Sequence, residues 1–314
     1  MRLLRVINVV WILIALAGTA VAEPRELTVG AVQFQVSEEI FASEARFAAE
    51  VSALVSEAVA AGSELVVFPE YSGVFLAAIP FSPQVSRSET LQGAMRRIAE
   101  ARGKPVELRR LFSNTAPRVS EHMDRIFGTL AARHRVHILA GTYFHAARDE
   151  AGIPRLRNRA VLYGPEGNRV YEQDKVFLTA FERDLIGLDP GSVHEAEGFT
   201  IDGVEIGLTI CRDTFFEVWD RAYEGKELWI DIKADGVAYD DEARRRYIKT
   251  IPERLEETNV PYGVTVSLVG RYLELFWEGR TSVVAWDGQH LKTLDRSNRT
   301  RGRDLVVESF RDPK

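Results

Sequence analysis

The sequence predicts a single-domain α/β protein built as a two-sheet sandwich, and three observations support this fold class. A strand, an amphipathic helix and a second strand open the folded region in the order of a crossover unit. About ten strand patterns and four or five helix patterns then follow in mixed order. The composition is 46 % apolar, which is enough to fill a substantial core. Because there is no internal repeat or low-complexity tract, we expect one folded unit.

The first 22 residues have the pattern of a secretory signal peptide. Two arginines precede an apolar run, Val6–Val21, and the run ends in small residues at Ala20 and Ala22. A membrane anchor is the alternative interpretation, but the run falls short of the roughly 20 apolar residues that a span needs. We therefore predict cleavage after Ala22 and an exported domain, periplasmic or secreted, comprising residues 23–314.

The charge of the chain argues against polyanionic partners. The net charge is −6, and cleavage would remove two arginines and no acid, which changes it to −8. Such a surface gives no electrostatic reason to expect nucleic acid or anionic lipid as a partner. The single cysteine, Cys211, cannot form an intramolecular disulfide, and a thiol retained in an exported protein is unusual.

The strands are predicted where apolar residues alternate or form short runs bounded by turn residues. They are Leu27–Phe34, Leu65–Phe68, His137–Phe144, Arg159–Tyr163, Arg169–Gln173, Phe199–Asp202, Val204–Ile210, Leu228–Ile232, Tyr262–Leu268 and Thr281–Asp287. The helices are predicted where apolar residues recur every three or four positions. They are Glu39–Ala61, a helix near Glu89–Ala101, Val119–His134, Asp213–Lys226 and Asp240–Thr258.

Two segments are predicted to be irregular. Tyr71–Pro117 is rich in Ser, Pro, Arg and Gln, and we expect only the one helix near Glu89–Ala101 within it. Long excursions in compact domains are usually lids or binding loops. Since this segment follows Glu70 directly, we predict a loop that lines a site. Leu178–Gly198 is the second segment, with loop chemistry throughout.

Cys211 is predicted to lie at the carboxyl end of a strand, just before a helix. Ligands of open α/β sheets bind at such strand ends, and a helix amino terminus there would favour the thiolate. A buried, inert thiol is the alternative, because free cysteines often pack in the core. Position alone leaves both interpretations open.

Two further residues follow predicted strands in the same way. Glu70 follows Leu65–Phe68, and Lys175 comes directly after the hairpin that ends at Gln173. Singly, each has a plain structural explanation as a surface acid or a solvated cation. Together with Cys211 they supply a base, a cation and a nucleophile, which is the set that covalent catalysis requires.

Five segments in this order resemble blocks of the nitrilase, or carbon–nitrogen hydrolase, superfamily. They are LVVFPEY, NRAVLYGPEGNRVYEQDK, FLTAFERDLIGLDPGS, IGLTICRD and GRTSVVAWDG, and the likeness covers about residues 26–295. The resemblance implies an α-β-β-α sandwich that pairs into a homodimer or a higher homo-oligomer. It also implies that Glu70, Lys175 and Cys211 are the catalytic residues and that Glu182 is a second, structural glutamate.

The implied reaction is hydrolysis of a non-peptide amide through a thioester on Cys211. Free glutamic acid is about four pKa units too acidic to be a good base for a thiol. Burial raises the pKa of a carboxyl group, and a neighbouring ammonium favours the thiolate, so the environment closes this gap. Glu70 would take the thiol proton, and Lys175 with a backbone N–H after Cys211 would stabilise the oxyanion.

The sequence departs from the family pattern at Arg212, where the residue after the cysteine is usually aromatic, small or apolar. A guanidinium there could bind a substrate carboxylate or pair with an acid on the rim. Arg212 and Tyr71, which opens the segment after Glu70, are predicted to bind the substrate, a small amide or nitrile.

Metal and cofactor sites are not predicted. His134 and His137 lie at a helix end and a strand start and are not expected to share a face. The chain has neither G-x-G-x-x-G nor a P-loop. Three alternatives to an amidase stay open: a nitrilase, since Thr179-x-x-Glu182-Arg183 also resembles that branch, an acyltransferase, and a catalytically silent binding protein.

Overall fold

One strand, β1 (Glu26–Val36), joins the two halves of a nearly closed sheet in the computed structural model, which describes residues 26–311. The other strands are β2 (Leu65–Val67), β3 (His137–Arg148), β4 (Pro154–Tyr163), β5 (Arg169–Asp174), β6 (Phe199–Ile201), β7 (Val204–Ile210), β8 (Leu228–Lys233), β9 (Tyr262–Tyr272), β10 (Leu275–Trp277), β11 (Ser282–Trp286), β12 (Leu291–Arg296) and β13 (Asp304–Arg311). The helices are α1 (Glu44–Ala60), α2 (Ser82–Val85), α3 (Leu91–Arg102), α4 (Leu108–Met123), α5 (Thr129–His134), α6 (Val218–Tyr223), α7 (Asp241–Ile248) and α8 (Ile251–Thr258).

The strand order is β5-β4-β3-β2-β1-β9-β8-β7-β6. The first part of β1 pairs with β2 and with β13, whereas its last three residues pair with β9. Within each half the central strands are parallel, β1 with β2 and β3 in one and β7 with β8 and β9 in the other. Parallel strands end at the same edge, so residues that follow β2, β7 and β8 can share one site.

Three apolar clusters show the layers of the fold. The central cluster lies between the two halves and includes Val29, Val67, Leu139, Leu208, Ile230 and Val264. The first half packs its other face on α1, α3, α4 and α5, with Phe47, Ile98, Val119 and Leu130 buried there. The second half packs on α6 and α8, with Trp219, Tyr223 and Leu255 buried. Helix, sheet, sheet and helix therefore follow one another, which confirms the predicted α-β-β-α fold class.

The prediction for Tyr71–Pro117 is wrong, because most of this segment is helical. A 3₁₀ helix spans Val74–Phe81, α2 and α3 follow, and α4 begins at Leu108 and contains Pro117. Only α3 corresponds to the helix expected near Glu89–Ala101. α4 buries Leu111, Ala116, Val119, His122 and Met123, and it packs on β3. A proline inside a helix is disfavoured, so Pro117 divided this helix in the sequence pattern.

Three other elements differ from the expected ones. Asp240–Thr258 is broken into α7 and α8, because Pro252 lacks an N–H and suits the first turn of a new helix. Val119–His134 comprises the end of α4, a π-helical turn and α5. Asp213–Lys226 is helical only in a 3₁₀ turn, Cys211–Phe215, and in α6. The strands β10, β12 and β13 were not predicted.

The predicted signal peptide, residues 1–22, lies outside the described residues, and export stays a prediction. Over residues 26–311, no helix has both the length and the apolar character that crossing a membrane requires.

Candidate active site

Glu70 is held in a tight turn just after β2. The turn is possible because Gly141 has no side chain, since a Cβ atom there would lie 1.9 Å from the carbonyl oxygen of Pro69. The next residue, Tyr71, has a φ of 64°, in the left-handed region that non-glycine residues rarely adopt. Its amide donates to the hydroxyl of Thr142 at 2.8 Å. The Glu70 carboxyl group is fully buried as a result.

Lys175 brings Glu70 and Glu182 together. Its Nζ donates to Oε1 of Glu70 at 2.8 Å and to Oε1 of Glu182 at 2.9 Å, and all three side chains are buried. The other oxygen of Glu182 accepts from the amide and the hydroxyl of Thr179 at 2.8 and 2.9 Å. Glu182 lies in a π-helical turn, Phe181–Ile186, inside the segment that was expected to be a loop. One ammonium therefore serves two carboxylates.

Asn158 also belongs to this cluster, although the sequence analysis assigned it no role. Its Nδ2 donates to Oε1 of Glu70 at 2.9 Å and to Oε1 of Glu182 at 3.1 Å. Its main-chain carbonyl oxygen accepts a hydrogen bond from the main-chain amide of Lys175 at 2.8 Å. Asn158 stands almost opposite Lys175 in the β4–β5 hairpin, so cross-strand register was the signal that could have identified it.

The two buried glutamates have pKa values that move in opposite directions. Burial, reinforced by the charge of Glu182, raises the pKa of Glu70 to about 7, although Lys175 opposes this shift. Burial also acts on Glu182, but Lys175 and the hydrogen bonds from Thr179 and Tyr71 outweigh it, so that the pKa of Glu182 is lowered. The pKa of Glu70 therefore lets this group accept a proton near neutral pH, whereas Glu182 stays ionised there.

The nucleophile candidate, Cys211, occupies the first position after β7. It is half-buried, and its φ of 54° is again in the left-handed region. Burial and the charge of Glu70 raise the pKa of its thiol, while the Lys175 and Lys233 ammonium groups lower it without cancelling the rise. Because Cys211 opens only a five-residue 3₁₀ turn, the expected effect of a helix amino terminus on the thiolate does not dominate. The Cys211 thiol and the Glu70 carboxyl group each influence the pKa of the other.

Asp213 ties the nucleophile turn to the residues after Lys175. It is fully buried, and its Oδ1 accepts from the amides of Val176 at 3.2 Å and Phe177 at 2.7 Å. Burial raises the pKa of Asp213 to about 7 in spite of these hydrogen bonds. The sequence showed this acid beside Cys211 but gave no sign of its contacts.

The two predicted substrate-binding residues have different environments. Arg212 is exposed, and its guanidinium lies 5.7 Å from the ring centre of Phe216. No ion pair of Arg212 with an acid occurs among the described residues. Tyr71 is buried, its hydroxyl donates to Oε1 of Glu182 at 2.7 Å, and its ring lines an apolar cavity of about 90 Å³. Substrate contact by either residue stays a prediction.

Metal ligands do not cluster in the region that the structure describes. Over residues 26–311, no group of three or more His, Cys, Asp or Glu side chains is arranged to hold a metal ion.

Solved structures with this fold include amidases. A double mutant of the amidase from Nesterenkonia sp. AN1 in complex with acrylamide is 15 % identical with a TM-score of 0.62, over 91 % of this chain and 90 % of that one. Another mutant of that amidase shows acrylamide added to its active-site cysteine, at 15 % identity, TM-score 0.61 and coverage of 90 % and 92 %. The carbon-nitrogen hydrolase from Helicobacter pylori G27 is 16 % identical, with a TM-score of 0.61 and coverage of 90 % and 88 %. At these identities the likeness shows the fold.

The sequence itself shows the family. No curated protein matches the chain, but the sequence model of the carbon-nitrogen hydrolase family matches residues 28–301, which include every candidate residue above. The chain belongs to the carbon-nitrogen hydrolase family.

Proposed function

We propose that this carbon-nitrogen hydrolase is an amidase that forms a thioester on Cys211, with Glu70 as its base and Lys175 as an oxyanion donor. One observation carries the proposal. Glu70 accepts from Lys175 at 2.8 Å, is coupled electrostatically to the Cys211 thiol, and has a pKa of about 7. A carboxyl group in this state can take a proton from a thiol and return it to a leaving group near neutral pH.

The reaction follows from these contacts. Glu70 takes the Cys211 proton as sulfur attacks the carbonyl carbon of the amide. Lys175 and the backbone N–H of Arg212 stabilise the oxyanion of the tetrahedral intermediate. The C–N bond then breaks, and the amine leaves with the proton from Glu70. Glu70 next takes a proton from water, which attacks the thioester carbon. The C–S bond breaks, the acid leaves, and Glu70 returns the proton to the Cys211 sulfur.

Glu182 has a supporting part in this scheme. It holds Lys175 at 2.9 Å and contributes a charge that raises the pKa of Glu70. Asn158 bridges the two glutamates and keeps Oε1 of each directed at the ammonium. Both residues act through others, and neither is assigned a bond to the substrate.

Trapping of the covalent intermediate tests the proposal. The enzyme is mixed with a pool of small amides and nitriles, quenched in acid, and digested for mass spectrometry. We expect an acyl adduct on Cys211 whose mass equals the amide less ammonia or amine. Cys211→Ala is the control and should yield neither adduct nor turnover, whereas turnover by this variant would refute the assignment.

The same experiment separates the alternatives. A nitrilase would add a nitrile without loss of mass and then release ammonia, because the thiol adds across the triple bond. An acyltransferase would deliver the acyl group to an added amine in preference to water. A silent binding protein would form no adduct. We also propose export, and amino-terminal sequencing of the protein from an exported fraction should begin at Glu23.

A further inference from the structure

The end of β8 contacts both the nucleophile and the base. The amide of Cys211 donates to Oδ1 of Asp231 at 3.2 Å, and the amide of Ala234 donates to Oε2 of Glu70 at 3.1 Å. Asp231 and Ala234 are three positions apart in the chain. None of the residues of this segment is among the sequence-predicted site residues.

A buried ion pair occupies this segment. The Nζ atom of Lys233 lies 2.9 Å from Oδ2 of Asp231, with 8 % and 0 % of the side chains exposed. The residues between and beside them, Ile230 and Ile232, belong to the core between the two halves. A buried ion pair is weak support for stability, because desolvation offsets the attraction. Its position under the nucleophile therefore calls for a functional explanation.

A buried hydrogen-bond network joins β8 to the end of β7 and the turn after it. Trp229 lies two residues before Asp231 on the same face of β8, and its Nε1 donates to Oγ1 of Thr209 at 3.0 Å. The hydroxyl of Thr214 also donates to Oγ1 of Thr209, at 2.9 Å. This network holds the turn that Cys211 opens against β8, the strand that carries Asp231.

The main chain of Cys211 needs such an anchor. A φ of 54° is costly for a residue with a Cβ atom and persists only where the surroundings hold it. The Asp231 oxygen accepts the hydrogen bond of that same residue's amide. A charged acceptor makes a stronger hydrogen bond than a neutral one.

Two buried ammonium groups contribute positive potential at the thiol. The titratable groups that influence it come from the turns after β2 and β5 and from the end of β8 and the residues after it; they are Glu70, Tyr71, Lys175, Lys233 and Asp235. The charges of Glu70 and Asp235 raise the pKa of the thiol, whereas those of Lys175 and Lys233 lower it. Lys175 is shared by two carboxylates, so Lys233 is an important second source of positive potential.

We propose that Asp231 and Lys233 are a positioning pair for the nucleophile. Asp231 holds the main chain of Cys211 in its strained turn, and Lys233 compensates the buried carboxylate and stabilises the Cys211 thiolate. This inference rests on the proposed role of Cys211 as the nucleophile. According to this proposal, the charge of Lys233, and not that of the exposed Arg212, stabilises the reacting sulfur.

Alkylation of the thiol tests the pair without a substrate. The rate of reaction of native protein with iodoacetamide is measured from pH 6 up to the highest pH at which the protein stays folded, because burial raises the pKa of this thiol. Lys233→Met removes a cation, so the apparent pKa of Cys211 should rise and alkylation near neutral pH should slow by roughly tenfold. Lys233→Arg keeps the charge and should restore the titration. If Lys233→Met does not fold, Lys233→Gln should show the same shift.

Asp231→Asn should have the opposite effect on the thiol. It removes a negative charge while it keeps the shape, so the apparent pKa of Cys211 should fall. Turnover should nevertheless decrease by roughly ten- to a hundredfold, because the neutral amide holds the strained turn less firmly. Opposite shifts from the two variants cannot arise from a general loss of stability.

The matched control is Arg254→Met, which breaks a buried ion pair away from the thiol. Arg254 lies 2.8 Å from Asp220, and 5 % of its side chain is exposed. This variant should lower the melting temperature without moving the thiol titration. If Asp231→Asn and Lys233→Met behave like this control, the positioning pair is refuted. If the wild-type thiol does not react in the native state, the proposed function itself fails.

Discussion

Two charged clusters lie on opposite faces of the hairpin formed by β4 and β5, and only one of them has the properties of a catalytic centre. The inner cluster, on the side of the core between the two halves, consists of Glu70, Asn158, Lys175 and Glu182. The outer cluster, on the side of the helix layer, consists of Asp124, Arg157, Arg159, Arg169, Glu172 and Asp174.

Residues of the two clusters occupy adjacent positions of the β4–β5 hairpin. Asn158 and Lys175 belong to the inner one, while their neighbours Arg159 and Asp174 are register partners in the outer one. Successive side chains of a strand point to opposite faces. The outer cluster has three arginines for three carboxylates and is partly open to water. The inner cluster has one lysine for two carboxylates and is buried.

The comparison shows that the number of ion pairs does not indicate function. In the outer cluster every acid has a guanidinium, so the charges are balanced. In the inner cluster burial and the charge of Glu182 raise the pKa of Glu70 to about 7, although Lys175 opposes this shift. One cation for two buried carboxylates thus leaves a perturbed pKa, which is typical of functional sites, whereas balanced pairs that are partly open to water do not indicate one.

Replacing the inner base should have the largest effect. Glu70→Gln keeps the shape but removes the proton acceptor, so kcat should fall by roughly 10²–10⁴ for both thioester formation and its hydrolysis. Stopped-flow measurement of the acylation and deacylation phases checks this. Glu172→Gln is the matched control in the outer cluster and should change kcat by about twofold or less. Equal losses of kcat in the two variants would show that the inner and outer clusters do not differ in their part in catalysis.

Loss of the inner cation should come next. Lys175→Ala removes a donor to the oxyanion, which should lower kcat by roughly 10²–10³. KM should change little, because the donor acts mainly in the transition state. Steady-state kinetics on the best trapped amide, with circular dichroism to verify the fold, measures the effect. A folded variant with full activity would show that Lys175 is not part of the catalytic set.

The charge of Glu182 should set the pH dependence. Glu70 must be ionised to act as a base, so kcat/KM should rise with pH through about 7, the pKa of this group. The negative charge of Glu182 raises that pKa. Glu182→Gln should therefore move the acidic limb of the profile to lower pH. A limb that stays in place or moves upward would contradict the electrostatic role of Glu182.

Arg212 should change specificity and not chemistry. Its guanidinium is exposed beside Phe216, outside both clusters. If it binds a substrate carboxylate in a bidentate manner, Arg212→Lys should raise KM for acidic amides by roughly tenfold and leave neutral amides unchanged. The ratio of kcat/KM for a pair of acidic and neutral amides measures this. Equal ratios in both proteins would exclude Arg212 from substrate recognition.

The outer cluster should contribute stability alone. Arg159→Met leaves Glu172 and Asp174 without a partner that now lies 2.7 Å from each. We expect a loss of about 1–3 kcal/mol in the free energy of unfolding and a change in kcat of about twofold or less. Urea denaturation and steady-state kinetics give the two numbers. A hundredfold loss of activity at unchanged stability would mean that the outer cluster takes part in catalysis.

The sequence by itself determined the layers and the reactive groups. Alternating apolar residues predicted β7, and the ordered blocks around Glu70, Lys175 and Cys211 indicated the family that the match over residues 28–301 confirms. These features are local, since a strand, a turn and the residue after it are encoded within about ten positions. The hairpin of β6 and β7 shows this well, because Asp202-Gly203 was read as its turn and has the positive φ values that such turns need.

Tertiary structure alone decided which groups assist the reactive ones. Asn158 donates a hydrogen bond to Glu70, which lies 88 positions away in the sequence, and Asp231 accepts one from the amide of Cys211, which lies 20 positions away. Packing on β3 likewise accommodates Pro117 inside α4, although proline usually ends a helix. The pKa of Glu70 is likewise a property of burial and of charges drawn from distant strands. Sequence specifies local conformation and chemistry, whereas desolvation and long-range contacts exist only after the chain has folded.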